Sequence, residues 1–258
     1  MPEKIIQQGA EAKIILKDNR VIKRRIKKSY RILEIDEKIR KLRTRSEGKM
    51  LERASKVILI PNVMKVDEKN KEILMEYING KKLSDNLDNF NEKKQEEICE
   101  KIGENTAKIH DENLIHGDLT TSNMIYVEKT ASNNRLKSSK SKKEVITDNK
   151  VDSIIVNNKL MSKANSKLGV VAGNITDLDK DNFEVYFIDF GLGFHSLKIE
   201  DKAVDLHLLK EALEAKHFKN WEKLFKAVCK GYSISKDNKK VLEQLKKVES
   251  RGRYKEKY

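Results

Sequence analysis

Two stretches of the sequence decide its fold: Leu114-Ile115-His116-Gly117-Asp118-Leu119-Thr120-Thr121-Ser122-Asn123-Met124-Ile125-Tyr126-Val127, and Val185-Tyr186-Phe187-Ile188-Asp189-Phe190-Gly191. In the first, Asp118 and Asn123 stand five positions apart in a polar loop that precedes an apolar run. The second ends a run of β-forming residues with Asp189, an aromatic residue and a glycine. Phosphoryl transfer from ATP needs one carboxylate that orients a hydroxyl or water, then an amide and a second carboxylate that can hold magnesium. The two stretches, in this order, therefore predict an ATP-dependent phosphoryl-transfer site.

Length and composition set the broad class. The chain has 258 residues, enough for one two-lobed domain or two small ones. It has no apolar run of eighteen residues and no basic-then-apolar start, so we expect neither a membrane span nor a signal peptide. Cys99 and Cys229 are its only cysteines, too few for a disulfide framework or a zinc site. This cysteine usage favours a reducing cytoplasm.

The charge is strongly basic. Fifty-five Lys and Arg residues against 41 Asp and Glu residues give a net charge of +14, which favours a polyanionic partner such as RNA. A lysine-rich surface without a specific role explains the total equally well. Basic residues concentrate in three segments: Lys23 to Arg31, Lys137 to Lys143 and Arg251 to Lys255.

Residues 4 to 26 predict a small antiparallel sheet, with a turn at Lys17-Asp18-Asn19-Arg20. Gln8-Gly9-Ala10-Glu11-Ala12 lies between its first two strands, where a phosphate-covering loop would lie, although it has one glycine instead of two or three. An ordinary hairpin is the alternative. Lys23 ends the third strand and could reach the α- and β-phosphates of a nucleotide, or it could be a solvated surface lysine.

A helix is expected from about Asp36 to Ser55. Its best candidates for the inner face are Ile39, Leu42, Met50 and Leu51. Glu47 in this helix could pair with Lys23. Glu52 is the competing partner, because the sequence does not fix the rotation of the helix.

The run from Lys71 to Ile78 predicts a strand that ends at Asn79-Gly80. In a two-lobed nucleotide fold this strand runs into the hinge. The backbone around Glu76, Tyr77 and Ile78 would then hydrogen-bond the adenine edge. The alternative is an edge strand and a turn.

The remaining chain is mostly helical in pattern. From Asn91 to Asn113, Ile98, Ile102, Thr106 and Ile109 fall on one face of a helix. Further helices are expected from about Glu200, from Phe218 to Cys229 and from Lys236 to Val248; the second of these is expected to turn Trp221 inward.

The composition changes from Glu128 to about Asp181, where Lys, Asn, Ser and Asp dominate. This segment predicts a largely disordered insertion at a hairpin tip, since it offers too little apolar surface to offset the entropy of ordering. It would separate two strands that pair, Met124 to Val127 and Glu184 to Ile188. RNA binding and a solvated expansion without a role both remain open for it.

These motifs together resemble the protein-kinase-like superfamily, and in detail the atypical serine/threonine kinase/ATPase subunit of the KEOPS (EKC) complex, the PRPK family. The resemblance covers nearly the whole chain except about 128 to 183. It rests on Gln8 to Ala12, Lys23 to Arg31, Arg43 to Glu47, His116 to Asn123, Ile188 to Gly193 with Glu200 to Leu206, and Arg251 to Arg253.

The resemblance implies an α+β class, a bilobal protein-kinase-like fold. Its N-lobe, residues 1–79, would hold an antiparallel sheet and one helix. Its reduced, mostly helical C-lobe would be residues 80–258, with the insertion at 128–183 and a basic tail at 249–258.

The resemblance also implies the site residues. Lys23 would hold the α/β-phosphates of ATP and Glu47 would position it. Asp118 would orient the attacking hydroxyl or water, while Asn123 and Asp189 would ligate Mg²⁺. Asp205 would brace the catalytic loop. Further nucleotide contacts would come from Gly9, Ala10, Glu11, Ala12, Glu76 and Ile78.

The family is associated with threonylcarbamoyladenosine (t6A) modification of tRNA at adenosine 37. Its members bind the transferase subunit and small subunits of the complex and hydrolyse ATP, and protein serine/threonine phosphorylation is also attributed to them. For this chain the resemblance implies those protein partners and contact with tRNA through the basic surface and the C-terminal tail.

Two features depart from ordinary protein kinases. Thr120 stands where those enzymes usually carry a lysine that contacts the transferred phosphate. Only nine residues separate Gly191 from Asp201, too few for a long activation loop. We therefore expect ATP hydrolysis or autophosphorylation rather than phosphorylation of many free peptides.

Two alternative functions belong to other classes of protein. A small-molecule phosphotransferase of the aminoglycoside or choline kinase type shares the His-Gly-Asp motif and the asparagine. Only 67 residues follow Gly191, which is short for the substrate lobe of such an enzyme. A non-catalytic RNA-binding scaffold is the other alternative, and the presence of every expected phosphate and metal ligand disfavours it.

Overall fold

The computed structural model describes residues 3–129 and 182–251. Nearly all of the insertion expected at 128–183, and residues 252–258 of the tail expected at 249–258, lie outside the described residues. None of the described helices is long and apolar enough to cross a membrane.

The N-terminal part forms a five-stranded antiparallel sheet with the strand order β1-β2-β3-β5-β4. Asp18 and Asn19 connect β2 to β3, and both have positive φ angles, 49° and 56°. A two-residue turn of this kind matches the right-handed twist of the strands, and Asp and Asn tolerate its backbone well. The strands are β1 Lys4–Gln8, β2 Ala12–Lys17, β3 Arg20–Arg25, β4 Val63–Asp67 and β5 Glu72–Glu76.

The long helix α1, Leu33–Ala54, follows the sheet's third strand in sequence. The expected inner face of this helix is partly wrong: Met50 and Leu51 are buried, but Leu42 is 50% exposed. The reason is that polar and small side chains form much of the buried stripe, which an apolar pattern does not detect. The buried residues of α1 are Asp36, Thr44, Glu47, Gly48, Met50, Leu51 and Ala54.

The described C-terminal part is mainly helical, and the α-helices in it are α2 Leu83–Asn86, α3 Glu92–Asp111, α4 Ile199–Lys216, α5 Trp221–Tyr232 and α6 Asn238–Ser250. The side chain of Asn91 caps α3 by accepting a hydrogen bond from the backbone N–H of Lys94. The predicted inner face of α3 is confirmed, because Ile98, Ile102, Thr106 and Ile109 are fully buried.

Two glycines set the packing of α3 against α5. A Cβ atom at Gly103 would overlap the carbonyl oxygen of Val228, and one at Gly231 would overlap that of Glu100. The two helices therefore approach backbone to backbone, which only glycine permits at both positions. The helix predicted from Phe218 begins at Trp221, and Phe218 is exposed.

Five short strands frame the functional loops: β6 Lys81–Lys82, β7 Leu114–Ile115, β8 Met124–Glu128, β9 Phe183–Phe187 and β10 Phe194–His195. Strands β8 and β9 are neighbours in a three-stranded sheet with β6, as the sequence predicts. The backbone N–H of Ile188 donates to the carbonyl oxygen of Asn123 over 2.9 Å. This pairing brings Asn123 and Asp189 together although they are 66 positions apart.

Candidate active site

A cavity of about 240 Å³ lies between the five-stranded sheet and the loops at the ends of β7 and β9. Apolar side chains such as Ile14, Val21, Met75 and Ile188 form one part of its lining, which suits a flat aromatic ring. Its polar lining includes Lys23, Glu47, Asn123 and Asp189. The predicted phosphate lysine, its glutamate partner and the two predicted magnesium ligands thus line one cavity, whereas Asp118 is not among its described lining residues.

Lys23 lies at the centre of this polar group. Its Nζ atom is 2.6 Å from Oε1 of Glu47 and 2.6 Å from Oδ1 of Asp189. The competing partner, Glu52, is exposed. Burial opposes the charge of Lys23, but the two carboxylates more than offset it and hold the pKa of Lys23 above its ordinary value.

Arg25 is a site residue that the sequence reasoning missed. Its Nη2 atom is 2.6 Å from Oε2 of Glu47, so one buried carboxylate accepts from Arg25 and Lys23 together. Strand geometry could have found it, since residues two apart on β3 face the same side of the sheet. Arg25 thereby fixes the carboxylate that positions Lys23.

Asp189 lies two residues after the end of β9 and has a φ angle of 62°. Such a conformation is uncommon for a residue other than glycine and marks a constrained position. Burial acts to raise the pKa of Asp189, but the Lys23 ammonium and the backbone N–H of Gly191 lower it below its usual range. The carboxylate is therefore held ionised, as a metal ligand requires.

The catalytic loop, which we define as residues 116–123, brings Asp118 and Asn123 into contact. Nδ2 of Asn123 donates to Oδ2 of Asp118 over 2.8 Å and to its carbonyl oxygen over 2.9 Å. With Nδ2 turned to Asp118, the remaining acceptor of this amide is Oδ1. An amide oxygen beside an ionised carboxylate is a donor set that fits magnesium.

Asp205 of α4 holds the start of the catalytic loop. Its fully buried carboxylate accepts from the backbone N–H of His116 over 2.8 Å and from that of Gly117 over 2.9 Å. His110 is a third partner, at 3.2 Å. Burial acts to raise the pKa of Asp205, but its bond to His110 and the nearby charges lower it overall.

His116 joins the catalytic loop to the segment after β9. Its Nε2 donates to the carbonyl oxygen of Ile188 over 3.1 Å, and its ring lies 4.5 Å from that of Phe190, centroid to centroid. The backbone N–H of Asp118 donates to Nδ1 over 3.3 Å. One imidazole thus links the backbone of Asp118 to the backbone of Ile188, the residue before Asp189.

Of the residues of the N-terminal part that are expected to contact the nucleotide, some line the cavity and others do not. Glu76 and Ile78 line the cavity. The backbone N–H of Glu76 donates a hydrogen bond to the carbonyl oxygen of Asn62 over 2.9 Å. The contact of this backbone with an adenine edge stays a prediction.

The loop from Gly9 to Ala12 does not contribute to the described lining of the cavity. It is fastened instead to neighbouring elements. Arg43 of α1 pairs with Glu11 at 2.7 Å, and Lys28 donates to the carbonyl oxygen of Ala10. Its contact with a nucleotide stays a prediction.

Comparison with known proteins gives consistent results. A family model described as the RIO domain matches residues 12–132. The chain is 36% identical over 267 residues to KEOPS complex subunit Bud32 of Pyrococcus abyssi, covering 98% of this chain and 97% of that protein. It is 30% identical over 247 residues to the probable serine/threonine-protein kinase BUD32 homolog of Archaeoglobus fulgidus, covering 95% and 94%.

A second kind of relative is longer. The chain is 37% identical over 261 residues to the probable bifunctional tRNA threonylcarbamoyladenosine biosynthesis protein of Methanobrevibacter smithii. The match covers 98% of this chain but 37% of that protein. This chain is therefore similar to one part of the bifunctional protein.

Among solved structures, the chain is similar to the Rio2 kinase of Chaetomium thermophilum in its ADP/Mg²⁺-phosphoaspartate complex. The TM-score is 0.50, the identity is 13%, and the match covers 96% of this chain and 71% of that one. At this identity the likeness concerns the fold alone. It confirms the kinase-like α+β fold that the sequence predicts.

Proposed function

The chain belongs to the Bud32 family, and from this premise we propose that it is an atypical serine/threonine kinase and ATPase of a KEOPS complex. In that complex it supports t6A modification of tRNA at adenosine 37. The observation that carries the proposal is the contact of the buried Lys23 with both Glu47 and Asp189, beside the contact of Asn123 with Asp118. The full-length similarity to Bud32 proteins supports this reading over a small-molecule phosphotransferase and over an RNA scaffold.

In the proposed reaction, Lys23, Glu47, Asn123 and Asp189 act from the cavity, and Asp118 acts from the adjoining catalytic loop. Lys23 holds the α- and β-phosphates of ATP, while Glu47, clamped by Arg25, keeps the lysine in place. Asp118 accepts a hydrogen bond from the attacking hydroxyl or water and orients it. Asn123 and Asp189 hold magnesium, which when bound neutralises charge on the phosphates.

Base binding follows from the apolar part of the cavity. The adenine ring lies among Ile14, Val21, Met75 and Ile188, and its edge bonds the backbone at Glu76 and Ile78. Gly9, Ala10, Glu11 and Ala12 cover the phosphates once the nucleotide is bound. Contacts with Arg43 and Lys28 fix the position of this loop.

Thr120 and the short segment after Gly191 limit the acceptor. Threonine has no positive charge to guide a transferred phosphoryl group, and nine residues are too few for a peptide-docking activation loop. Water, or a hydroxyl of the protein itself, is therefore the acceptor we propose.

The partners are proposed from the relatives and from charge. The bifunctional relatives named for t6A biosynthesis contain a Bud32-like part within a longer chain, which supports a transferase subunit as the direct partner of this protein. Small KEOPS subunits complete the assembly, and tRNA binds the basic surface and tail. Cys99 and Cys229 are free thiols, which supports a cytoplasmic location.

Reconstituted t6A formation tests this function. The chain is combined with the transferase and small subunits, tRNA, ATP, magnesium and the threonylcarbamoyl donor. We expect modification to require this chain and to fail with the Asp189→Ala variant. Equal t6A yield with and without the chain would refute the proposal.

A further inference from the structure

The catalytic loop is attached to α4 at two points. Asp205 holds the loop at His116 and Gly117, as described above. His217, the residue that directly follows α4, contacts the loop at Thr121. Asp205 and His217 are twelve positions apart, which is about 18 Å along a helix at 1.5 Å per residue. One helix therefore carries contacts to both the beginning and the later part of the loop.

The second attachment is a chain of three side chains. Nε2 of His217 lies 3.2 Å from Oγ1 of Thr121, and Nδ1 lies 2.8 Å from Oδ1 of Asp88. His217 and Thr121 are each 1% exposed, whereas the side chain of Asp88 is 55% exposed. The imidazole is thus fixed at both nitrogens, with water reaching only its Asp88 end.

The hydrogen positions follow from the partners. The carboxylate of Asp88 accepts a hydrogen bond, so Nδ1 of His217 carries a proton. Nε2 of the neutral ring then accepts from the hydroxyl of Thr121. The hydroxyl can also accept from a charged ring, so the contact does not depend on the charge of His217.

An Asp-His-hydroxyl series also occurs where a hydroxyl is a nucleophile. Burial excludes that role here, because a hydroxyl as buried as that of Thr121 is out of reach of a substrate. What remains is a mechanical role. Thr121 begins a one-turn 3-10 helix that ends at Asn123, and the side chain of Asn123 donates a hydrogen bond to Asp118.

We infer that His217 is a positioning residue for the proposed phosphoryl transfer, which it serves by holding Thr121 and thereby the amide of Asn123 and the carboxylate of Asp118. The inference rests on the proposed function. The inference goes beyond the proposed function because it assigns a second anchor of the catalytic loop, in addition to Asp205. Displacing the anchor moves the metal-binding amide while it leaves the base-binding part of the cavity unchanged.

Four substitutions separate the two contacts of the ring. His217→Gln places an amide near the position of Nε2 and retains the contact with Thr121, whereas His217→Asn mimics Nδ1 and retains only the contact with Asp88. Thr121→Val removes the hydroxyl at nearly constant volume, and Thr121→Ser retains it. His207→Asn is the matched control, because His207 lies on α4 and pairs with Glu211.

Two readouts are measured for every protein. The first is magnesium-dependent ATP turnover, as kcat, KM for ATP and the magnesium concentration at half-maximal rate. The second is amide hydrogen exchange across residues 116–123 without nucleotide, which reports on the loop whether or not the protein turns over ATP.

We expect His217→Asn and Thr121→Val to lower kcat about tenfold or more, to raise the magnesium requirement and to speed exchange in the loop, with KM for ATP unchanged. His217→Gln and Thr121→Ser should restore most of both readouts, and His207→Asn should match the wild type. Normal exchange and normal magnesium dependence in His217→Asn and Thr121→Val would overturn the inference. A wild-type protein without ATP turnover would instead refute the proposed function. If loop exchange were still faster in His217→Asn and Thr121→Val, His217 would then be a purely structural anchor.

Discussion

Nζ of Lys23 lies 2.6 Å from Oδ1 of Asp189, although the two residues are 166 positions apart. The same ammonium is 2.6 Å from Glu47, so β3, α1 and the end of β9 meet at one atom. Asp189 and Glu47 thus compete for the lysine that we assign to the phosphates. A nucleotide with magnesium would take over Asp189 and leave the pair of Lys23 with Glu47 intact.

Replacing Glu47 should separate the function of this pair from general charge effects. Glu47→Gln leaves Lys23 and Arg25 buried without their shared carboxylate, and removing one partner of a buried pair costs about 3–5 kcal/mol of unfolding free energy. ATP turnover should fall with it. Chemical denaturation and turnover assays check both effects.

Glu52→Gln is the matched control, because Glu52 lies on the same helix and is exposed. It should change neither stability nor turnover by a measurable amount. If the two variants behaved alike, the buried clamp on Lys23 would have no functional role.

Asp205 should make the protein sensitive to acid. Its pKa is lowered in the folded state, so its contribution to stability is fully present above its unfolded pKa of about 3.9 and is lost as the pH falls through the folded pKa. Unfolding free energies measured from pH 6 down to pH 2 should therefore drop more steeply in the wild type than in Asp205→Asn. Parallel curves would contradict this assignment.

The contact of α3 with α5 should tolerate no added methyl group. Gly103→Ala and Gly231→Ala place a Cβ atom against a backbone carbonyl, which cannot rotate away. Overpacking of this kind costs about 1–3 kcal/mol, measurable as a lower melting temperature. Gly9→Ala is the control for stability, since the nearest atom to its Cβ lies 3.9 Å away.

The basic tail should contribute to tRNA affinity through phosphates. Removing residues 251–258 deletes Arg251, Arg253, Lys255 and Lys257. We expect weaker tRNA binding and a shallower dependence of log K on log salt, by up to about three units of slope. Binding measured at several salt concentrations checks this, and an unchanged affinity would assign tRNA contact to another surface.

Much of the fold could be predicted from local patterns. The inner face of α3 follows from apolar residues at helical spacing, and the Asp18-Asn19 turn follows from residues that tolerate positive φ. The proximity of Asn123 to Asp189 at one cavity could also be predicted, because each stands next to a predicted strand and the two strands are expected to pair. The catalytic roles of Asp118, Asn123 and Asp189 stay predictions. The pairing of Lys23 with Glu47 rather than Glu52 required the structure, since only packing fixes the rotation of α1.

Other features were out of reach of the sequence for physical reasons. Leu42 looks like a core residue, but polar groups such as Glu47 and Asp36 occupy the buried side of α1 and are satisfied there by arginine and lysine. His217 lies in a helix-ending segment without a recognisable motif. Its partners, Thr121 and Asp88, are 96 and 129 positions away, so only the tertiary fold assembles the contact.

The most direct test of the central claim is magnesium-dependent ATP turnover by the purified chain, measured alone and with the transferase subunit and tRNA. We predict turnover that requires magnesium, rises with both partners, and is abolished by Asp189→Ala while Glu52→Gln retains it. Turnover that is unchanged in Asp189→Ala, or absent from the wild type under all these conditions, would contradict the account.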